Sequence, residues 1–433
     1  MAAVLASALI ALCIITSHAS CSDPKRVSPN VLRFVTWNPG HPEVWKSIIA
    51  EFEKRNPGIT VIREFGPSSS TSFHDMLAQK LRNRSPEVDV FFMDVIWVPE
   101  FAAAGWADPI DELLPPAERE QFLPGAIAAN TCGGRLYGVP LFIDAGMLFY
   151  RSDLLRKYGY RPPATWQEME RQGLHIVREE ARTGNDICVF SAQFKQYEGL
   201  VCVMQEFILG NNGRLFDPET RVPEIQMPAA IEAVRYVREH IIGRLAPRGV
   251  LTYQEPESLA LFVQGRALFH RNWPYVWEIA GDPRRSRIAG RVGVTYLPRF
   301  PGGRSRSTLG GWQLGVSAFS RNRKMALGFI AFLTGAEIQK RFAIEAGRAP
   351  SRKELYRDRE VLAANPQFKE MKTVFLNASP RPRTPLYPAV SDALQRYFST
   401  ALADPDASVE EEAGKAADRI RWIESMMRRS RAQ

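Results

Sequence analysis

A two-lobed α/β fold is what this 433-residue sequence predicts, and three observations carry the reading. The length exceeds one ordinary domain, while 45% hydrophobic and 24% charged residues describe a folded chain with a sizeable core. The N-terminal part alternates strand-like and helix-like runs in β-α-β-α-β order, as a parallel sheet requires. Further strand-like runs recur as far as residue 303 without sorting into two consecutive halves, so two lobes joined by several crossings are expected, with a ligand between them.

The elements justify themselves in order. "NVLRFVTW" (30–37) reads as a strand, and "HPEVWKSIIAEFEKRNPG" (41–58) follows with apolar residues at helical spacing and a stop at Asn-Pro-Gly. "ITVIREF" (59–65) is a second strand and "SFHDMLAQKLRNRSP" (72–86) a second helix. "VDVFFMD" (88–94) is nearly all apolar, the pattern of a strand covered on both faces. Ligands of open parallel sheets bind beyond the carboxyl ends of the strands, and Asp94 stands at such an end. "GGRLYGVPLFIDAGMLFYRSDLLRKYG" (133–159) repeats the idea with glycines, an extended apolar run carrying Asp144, and a helix. "RVGVTYLPRFPGG" (291–303) is a strand leading to a turn, and from about residue 325 the pattern is mostly helical. There is no internal repeat.

Composition and motifs exclude several classes. The net charge of +9 is scattered, with no polybasic block and no basic-aromatic array, so no nucleic-acid partner is expected. The six histidines are isolated, and HExxH, GxSxG, the Walker loop and GxGxxG are all absent. No metal, cofactor or catalytic residue is therefore expected. The first twenty residues, "MAAVLASALIALCIITSHAS", are apolar or small and uncharged, too short for a comfortable membrane span. They read as a secretion signal (1–20), and the "HASC" step resembles the cleavage box of bacterial lipoproteins, which makes Cys21 a lipidation candidate and 21–30 a polar tether. Simple cleavage that leaves Cys21 incidental is the alternative. Of the remaining thiols, Cys188 and Cys202 can form a disulfide in an oxidising compartment or stay free.

Several segments together resemble the extracellular solute-binding proteins of bacterial ABC importers, and among them the trehalose/maltose-binding branch. They are "EVWKSIIAEFEKRNPGITV", "VDVFFMDVIWVPEFAAAGW", "GGRLYGVPLFIDAGMLFYRSDLLRKYGY", "QYEGLVC", "RNWPYVW", "LGGWQLGVS" and "RPRTPLYPAVSDALQ", in the family's order over nearly the whole chain. The resemblance implies a periplasmic-binding-protein fold of type II, each lobe a sheet flanked by helices. It implies an N-terminal lobe of 31–142 and 297–333, a C-terminal lobe of 143–296 and 334–433, and hinge closure around a sugar. By the same resemblance the sugar contacts are Asp94, Asp144, Glu43 from the first loop, Trp273, Trp312 and Arg381, with Gly311 leaving room for backbone contact. Tyr197 and Tyr275 are wall candidates. The loop "NPGH" (38–41), Phe142 and "CVFSAQF" (188–194) depart from the family's usual residues, so that part of the pocket is expected to differ.

The chemistry of these residue types fits the same task. A carboxylate accepts several hydroxyl hydrogen bonds, each strengthened by charge. An indole covers the C–H face of a sugar ring with little entropy to lose, and an arginine supplies a planar fork of donors. Each residue also has a structural reading: Asp94 capping the turn that follows, Asp144 holding a hinge peptide, the tryptophans packing, Arg381 or Arg383 merely solvated. In the run "RNWPYVW", Trp273 is the platform candidate and Trp277, four residues on, the core candidate. A monomeric, extracytoplasmic protein, periplasmic or lipid-anchored to the outer face of the cytoplasmic membrane, is expected, delivering a trehalose- or maltose-like disaccharide to the transmembrane permease subunits. Alternatives are an oligosaccharide, polyol or glycerol phosphate in the same fold, or a glycoside hydrolase using two cleft carboxylates.

Overall fold

The computed structural model describes residues 30–432, so the leader, Cys21 and most of the tether lie outside the described residues. Eleven strands occur among the described residues: β1 (Val31–Thr36), β2 (Thr60–Phe65), β3 (Val90–Asp94), β4 (Thr131–Cys132), β5 (Arg135–Leu136), β6 (Val139–Ala145), β7 (Met147–Arg151), β8 (Cys188–Ser191), β9 (Ala267–Asn272), β10 (Val292–Thr295) and β11 (Leu309–Val316). They form a five-stranded sheet in the order β2-β1-β3-β11-β6, a four-stranded sheet in the order β10-β7-β9-β8, and the small pair β4-β5. The two larger sheets, each flanked by helices, are the two lobes.

In the first lobe β1, β2 and β3 run parallel, as the β-α-β-α-β opening predicts, and β11 enters antiparallel between β3 and β6. Every residue of β3 is buried, which is why its sequence shows no alternation. Helix Pro42–Arg55 turns Trp45, Ile48 and Phe52 inward, and helix Ser70–Arg82 turns Phe73, Leu77 and Leu81 inward. In the second lobe Trp166 stacks on Phe207 at 4.0 Å within a core that also takes Leu394, Tyr397 and Phe398 from helix Tyr387–Ala403.

The chain passes between lobes at three places. Strand β6 stays in the first sheet to Ala145, so the first exchange falls at Gly146, beyond the expected boundary at 143. The second runs from β10 to β11. The third passes through Ser379, which pairs with Ser307 and Leu309 before helix Tyr387–Ala403 returns to the second lobe. Helix Ala336–Ala346, expected in the C-terminal lobe, places Ile338 and Phe342 in the core of the first lobe, with Phe342 against Trp45 at 4.6 Å.

All three crossings lean on helix Glu198–Gly210 of the second lobe. Its Glu206 accepts two bonds from Arg271 (2.7 and 2.5 Å) and one from the Thr308 amide (3.1 Å). Gln205 donates to Thr308 Oγ1 (3.3 Å) and to the Ser379 carbonyl (3.2 Å), while Ser307 donates to the Gly146 carbonyl (2.7 Å). A Cβ on Gly146 would stand 2.0 Å from Glu206 Oε1 and 2.6 Å from Arg271 Nη2, so no other residue fits there without displacing the ion pair.

Both members of that pair are almost fully buried, with side-chain exposures of 1% and 2%. Removing one leaves an uncompensated charge in the hinge. Arg271→Ala is expected to lower the unfolding free energy by about 3–5 kcal/mol, read as a lower urea midpoint; a midpoint equal to the wild type would show that the pair is dispensable.

Candidate functional site

The pairing of β11 sets the geometry of the cleft. Trp312 lies opposite Asp94 on β3, and Gly310 opposite Asp144 on β6. Two carboxylates from strands far apart in sequence are thus brought to the same edge of the first sheet, at the carboxyl ends of β3 and β6. Gly311, between them, has a φ of 131° that side chains rarely adopt, and a Cβ there would stand 2.7 Å from the Phe142 carbonyl.

A cavity of about 350 Å³ opens at this edge. From the first lobe it is lined by Trp37 to His41, Ser68 to Ser70, Asp94, Asp144, Gly310 to Trp312 and Arg348. From the second come Glu198, Gly199, Cys202, Gln254 to Pro256, Trp273, Tyr275, Glu278, Ile279 and Arg285, with Arg381 from the third crossing. Residues of both sheets face it, so it is an interlobe cleft.

Seven of the nine residues singled out in the sequence line this cleft: Asp94, Asp144, Trp273, Tyr275, Gly311, Trp312 and Arg381. Glu43 does not. It is exposed in the first turn of helix Pro42–Arg55, where the positive helix end favours an acid, and it is His41 that reaches the cleft. Tyr197 is buried behind the wall, and its hydroxyl donates to Glu255 Oε2 (2.8 Å). Trp277 is partly buried against the hydrophobic cluster of Met147, Phe149 and Val276, the packing role read from the sequence. Cys132, Cys188 and Cys202 are free, so the Cys188–Cys202 disulfide does not form.

Most cleft carboxylates are already engaged. Arg381, with only 2% of its side chain exposed, donates from Nη1 to Glu198 Oε1 (2.7 Å) and from Nη2 to Asp94 Oδ1 (3.2 Å). Its guanidinium therefore bridges the lobes. Tyr387 (2.7 Å) and Ser391 also donate to Glu198. Asp94 Oδ1 accepts from the Ile96 amide (3.3 Å) as well, so the residue caps its turn and faces the cleft at once. Glu278 meets His41 of the opposite lobe at 3.3 Å and Arg285 at 2.9 Å. Glu255 accepts the indole N–H of Trp273 (3.1 Å), and the Arg271 guanidinium lies 4.2 Å from the centre of the same ring system, so Trp273 is held at its edge and braced on a face.

Asp144 is different. Among the described residues no hydrogen bond or ion pair engages its carboxylate, although Arg348 lies near enough to stabilise its charge. Burial and the neighbouring Asp94, opposed by Arg348, push its carboxyl up to about 6. Asp94 is also raised, by burial and by Glu198, against the pull of Arg381. Arg348 itself donates to the Pro39 carbonyl and lies over Phe142 (5.2 Å) and Tyr275 (5.9 Å), so a residue not singled out in the sequence fixes the first loop against both lobes.

Sequence reasoning missed Trp37, Glu198, Glu255, Glu278 and Arg348. Trp37 carried a signal, standing just past the carboxyl end of β1 like Asp94 at β3. Glu198 stands next to Tyr197, but its role comes from Arg381, far along the chain. Nothing local marks Glu255 or Arg348, whose roles come from partners far along the chain.

Two sheets joined by three crossings, with a polar, tryptophan-lined cleft between them, define a two-lobed binding protein of the periplasmic type. Comparison with known proteins gives the family: residues 38–340 match the model described as bacterial extracellular solute-binding protein, and the chain belongs to that family. A probable ABC transporter-binding protein of Deinococcus radiodurans is 39% identical over 346 residues, 79% of this chain and 81% of that protein. The maltose-bound structure of T. maritima MalE3 superposes with a TM-score of 0.84 at 36% identity, covering 91% of this chain and 100% of that one. A Thermotoga lettingae solute-binding protein with α-D-tagatose shares the fold, with a TM-score of 0.81 at 24% identity over 91% and 98% of the two chains. No helix of the described residues is long and apolar enough to cross a membrane.

The raised Asp144 carboxyl has a consequence for stability. Its ordinary value is 3.8, so between that and about 6 the folded chain keeps a proton that the unfolded chain has lost, and stability falls as pH rises through this window. The full penalty, about 3 kcal/mol, is present above pH 6. Asp144→Asn, which cannot ionise, is expected to match the wild type near pH 4 and exceed it at neutral pH in urea unfolding; a constant difference across the range would mean the carboxyl is not perturbed.

Proposed function

We propose that the cleft binds a disaccharide of the trehalose or maltose kind, and that the chain delivers it to the transmembrane subunits of an ABC importer without breaking a bond. The observation that carries this is the juxtaposition of Asp144, an unpaired carboxylate, with Trp273 and Trp312 in one cavity. An acceptor for hydroxyl groups and flat apolar surfaces for C–H faces are the two complements a sugar needs. The volume of about 350 Å³ falls within the range of small-molecule sites. The maltose found in the T. maritima relative at 36% identity supports the sugar class.

The remaining site residues take roles that follow from their geometry. Asp94 offers its outer oxygen while Arg381 fixes the inner one. Gly310 and Gly311 let the ligand approach the backbone of β11, and Tyr275 forms part of the wall. Arg381 and the His41–Glu278 pair connect the lobes across the cleft, so ligand contacts made from both sides favour the closed form that a permease recognises. By this reading Glu43 and Tyr197 do not touch the sugar. A lipid anchor at Cys21 and a monomeric state complete the proposal, both resting on the sequence and the family resemblance.

Isothermal titration of the purified chain against trehalose, maltose, sucrose, glucose and glycerol 3-phosphate tests the reading. One disaccharide is expected to give saturable one-to-one heat, weakened by about 2 kcal/mol, roughly thirtyfold, in Trp273→Ala and unchanged in Glu43→Gln. Heat only from a monosaccharide, or glycerol 3-phosphate heat that Trp273→Ala weakens, would replace the ligand class, and release of reducing sugar from trehalose would make the protein a hydrolase.

A further inference from the structure

A second hollow, of about 290 Å³, lies on the crossing from β10 to β11 and shares no lining residue with the cleft. Tyr296, Arg304, Ser305 and Arg306 of the crossing form one side, and Thr373 and Asn377 of helix Phe368–Asn377 the other. We propose that this hollow is a binding site for a phosphate-class oxyanion, free or as a monoester.

Its arginines stand apart from those of the cleft. Arg348 and Arg381 are committed to carboxylates, carbonyls or rings, whereas among the described residues neither Arg304 nor Arg306 has a hydrogen bond, an ion pair or an aromatic partner. Arg306 is half-buried, so its charge is partly withdrawn from water without compensation. No carboxylate lines the hollow. Two guanidinium groups on the wall of one hollow with no acid to neutralise them repel, and an anion bound there removes both costs together.

The neutral groups favour a tetrahedral oxyanion over a carboxylate. Ser305, Thr373 and Tyr296 bring hydroxyl groups to the lining, and the two arginines come from the crossing whereas Thr373 comes from the helix. Such a set can serve three or four oxygens, more than a carboxylate has. Asn377 already donates to the Thr373 carbonyl (2.8 Å) and Ser307 to the Gly146 carbonyl (2.7 Å), so these two shape the hollow and leave the other donors to the ligand. The helix presents its C-terminal end here, which opposes an anion more weakly than charge-assisted bonds from two arginines attract it.

The proposal is independent of what the cleft binds, and its test does not involve sugar. The full chain is titrated with inorganic phosphate at constant ionic strength, beside Arg306→Gln and the double variant Arg304→Gln/Arg306→Gln, with far-UV circular dichroism confirming that each is folded. The wild type is expected to give one-to-one saturable heat in the millimolar range or tighter, weakened at least about tenfold in Arg306→Gln and lost in the double variant. Glycerol 3-phosphate, titrated into the same three proteins, separates the sources: binding tighter than phosphate and lost in the double variant assigns a monoester, weaker binding the free ion. No saturable heat from the wild type with either compound, or equal affinity in the folded double variant, overturns the site.

Discussion

The buried ion pair between Arg271 and Glu206 is the constraint on which the rest of the molecule depends. Glu206 holds the Thr308 amide of the second crossing, and its helix neighbour Gln205 holds the Ser379 carbonyl of the third. The first crossing is a glycine because the pair occupies the space a side chain would need. Arg271 then extends the same interaction into the cleft, with its guanidinium against the Trp273 ring. The hinge and the aromatic wall are therefore one unit. In the proposed closure a rotation between the lobes would take place around this pair, with Trp273 keeping its orientation relative to the hinge.

A buried pair of this kind is weak evidence for stability, because desolvation offsets much of the attraction. Its value here is geometric. Both charges are satisfied several times over, since Arg271 also donates to Gln193 (3.1 Å) and Glu206 accepts three bonds. A network that is satisfied throughout admits few alternative arrangements. The crossings are thus anchored at fixed points, and the proposed closure would leave bending to the residues between them.

How much of this was legible in the sequence follows from the distance over which each feature is decided. The strand β3 and its terminal Asp94 could be read locally, because an all-apolar pentapeptide ending in a carboxylate has few other solutions. Asp144 and Trp312 were legible individually, while their juxtaposition was not: it comes from β11 inserting antiparallel between β3 and β6 more than 160 residues after β6, and strand order of that kind leaves no local trace. The family resemblance supplied it. Glu43 failed for a local reason, since His41 takes a left-handed conformation (φ 52°) before Pro42, which swings the helix start so that the histidine rather than the glutamate reaches Glu278 and the cleft. Glu198 and Arg348 were invisible because each acquires its role from residues more than 180 positions away, Arg381 in one case and Pro39 in the other.

The charge pattern of the cleft argues for a neutral ligand. An anion entering beside Asp144 meets an unpaired carboxylate, and Arg381, the cation best placed to attract it, has both Nη groups committed to Asp94 and Glu198. A cation drawn to Asp144 meets Arg348, whose field already stabilises that carboxylate, with Arg381 beside Asp94. Either charged ligand gains one attraction and incurs one repulsion at short range, where the low dielectric enlarges both. A polyhydroxyl ligand incurs neither. Its hydroxyl groups would donate to Asp144 and to the free oxygen of Asp94, lowering the cost of keeping those carboxylates ionised in a partly dry site, while the tryptophans would take its apolar faces. Such donation would offset the cost that burial places on the Asp144 carboxylate. An unpaired carboxylate is a liability in a core, and in a cleft it is a differential affinity for whatever donates to it.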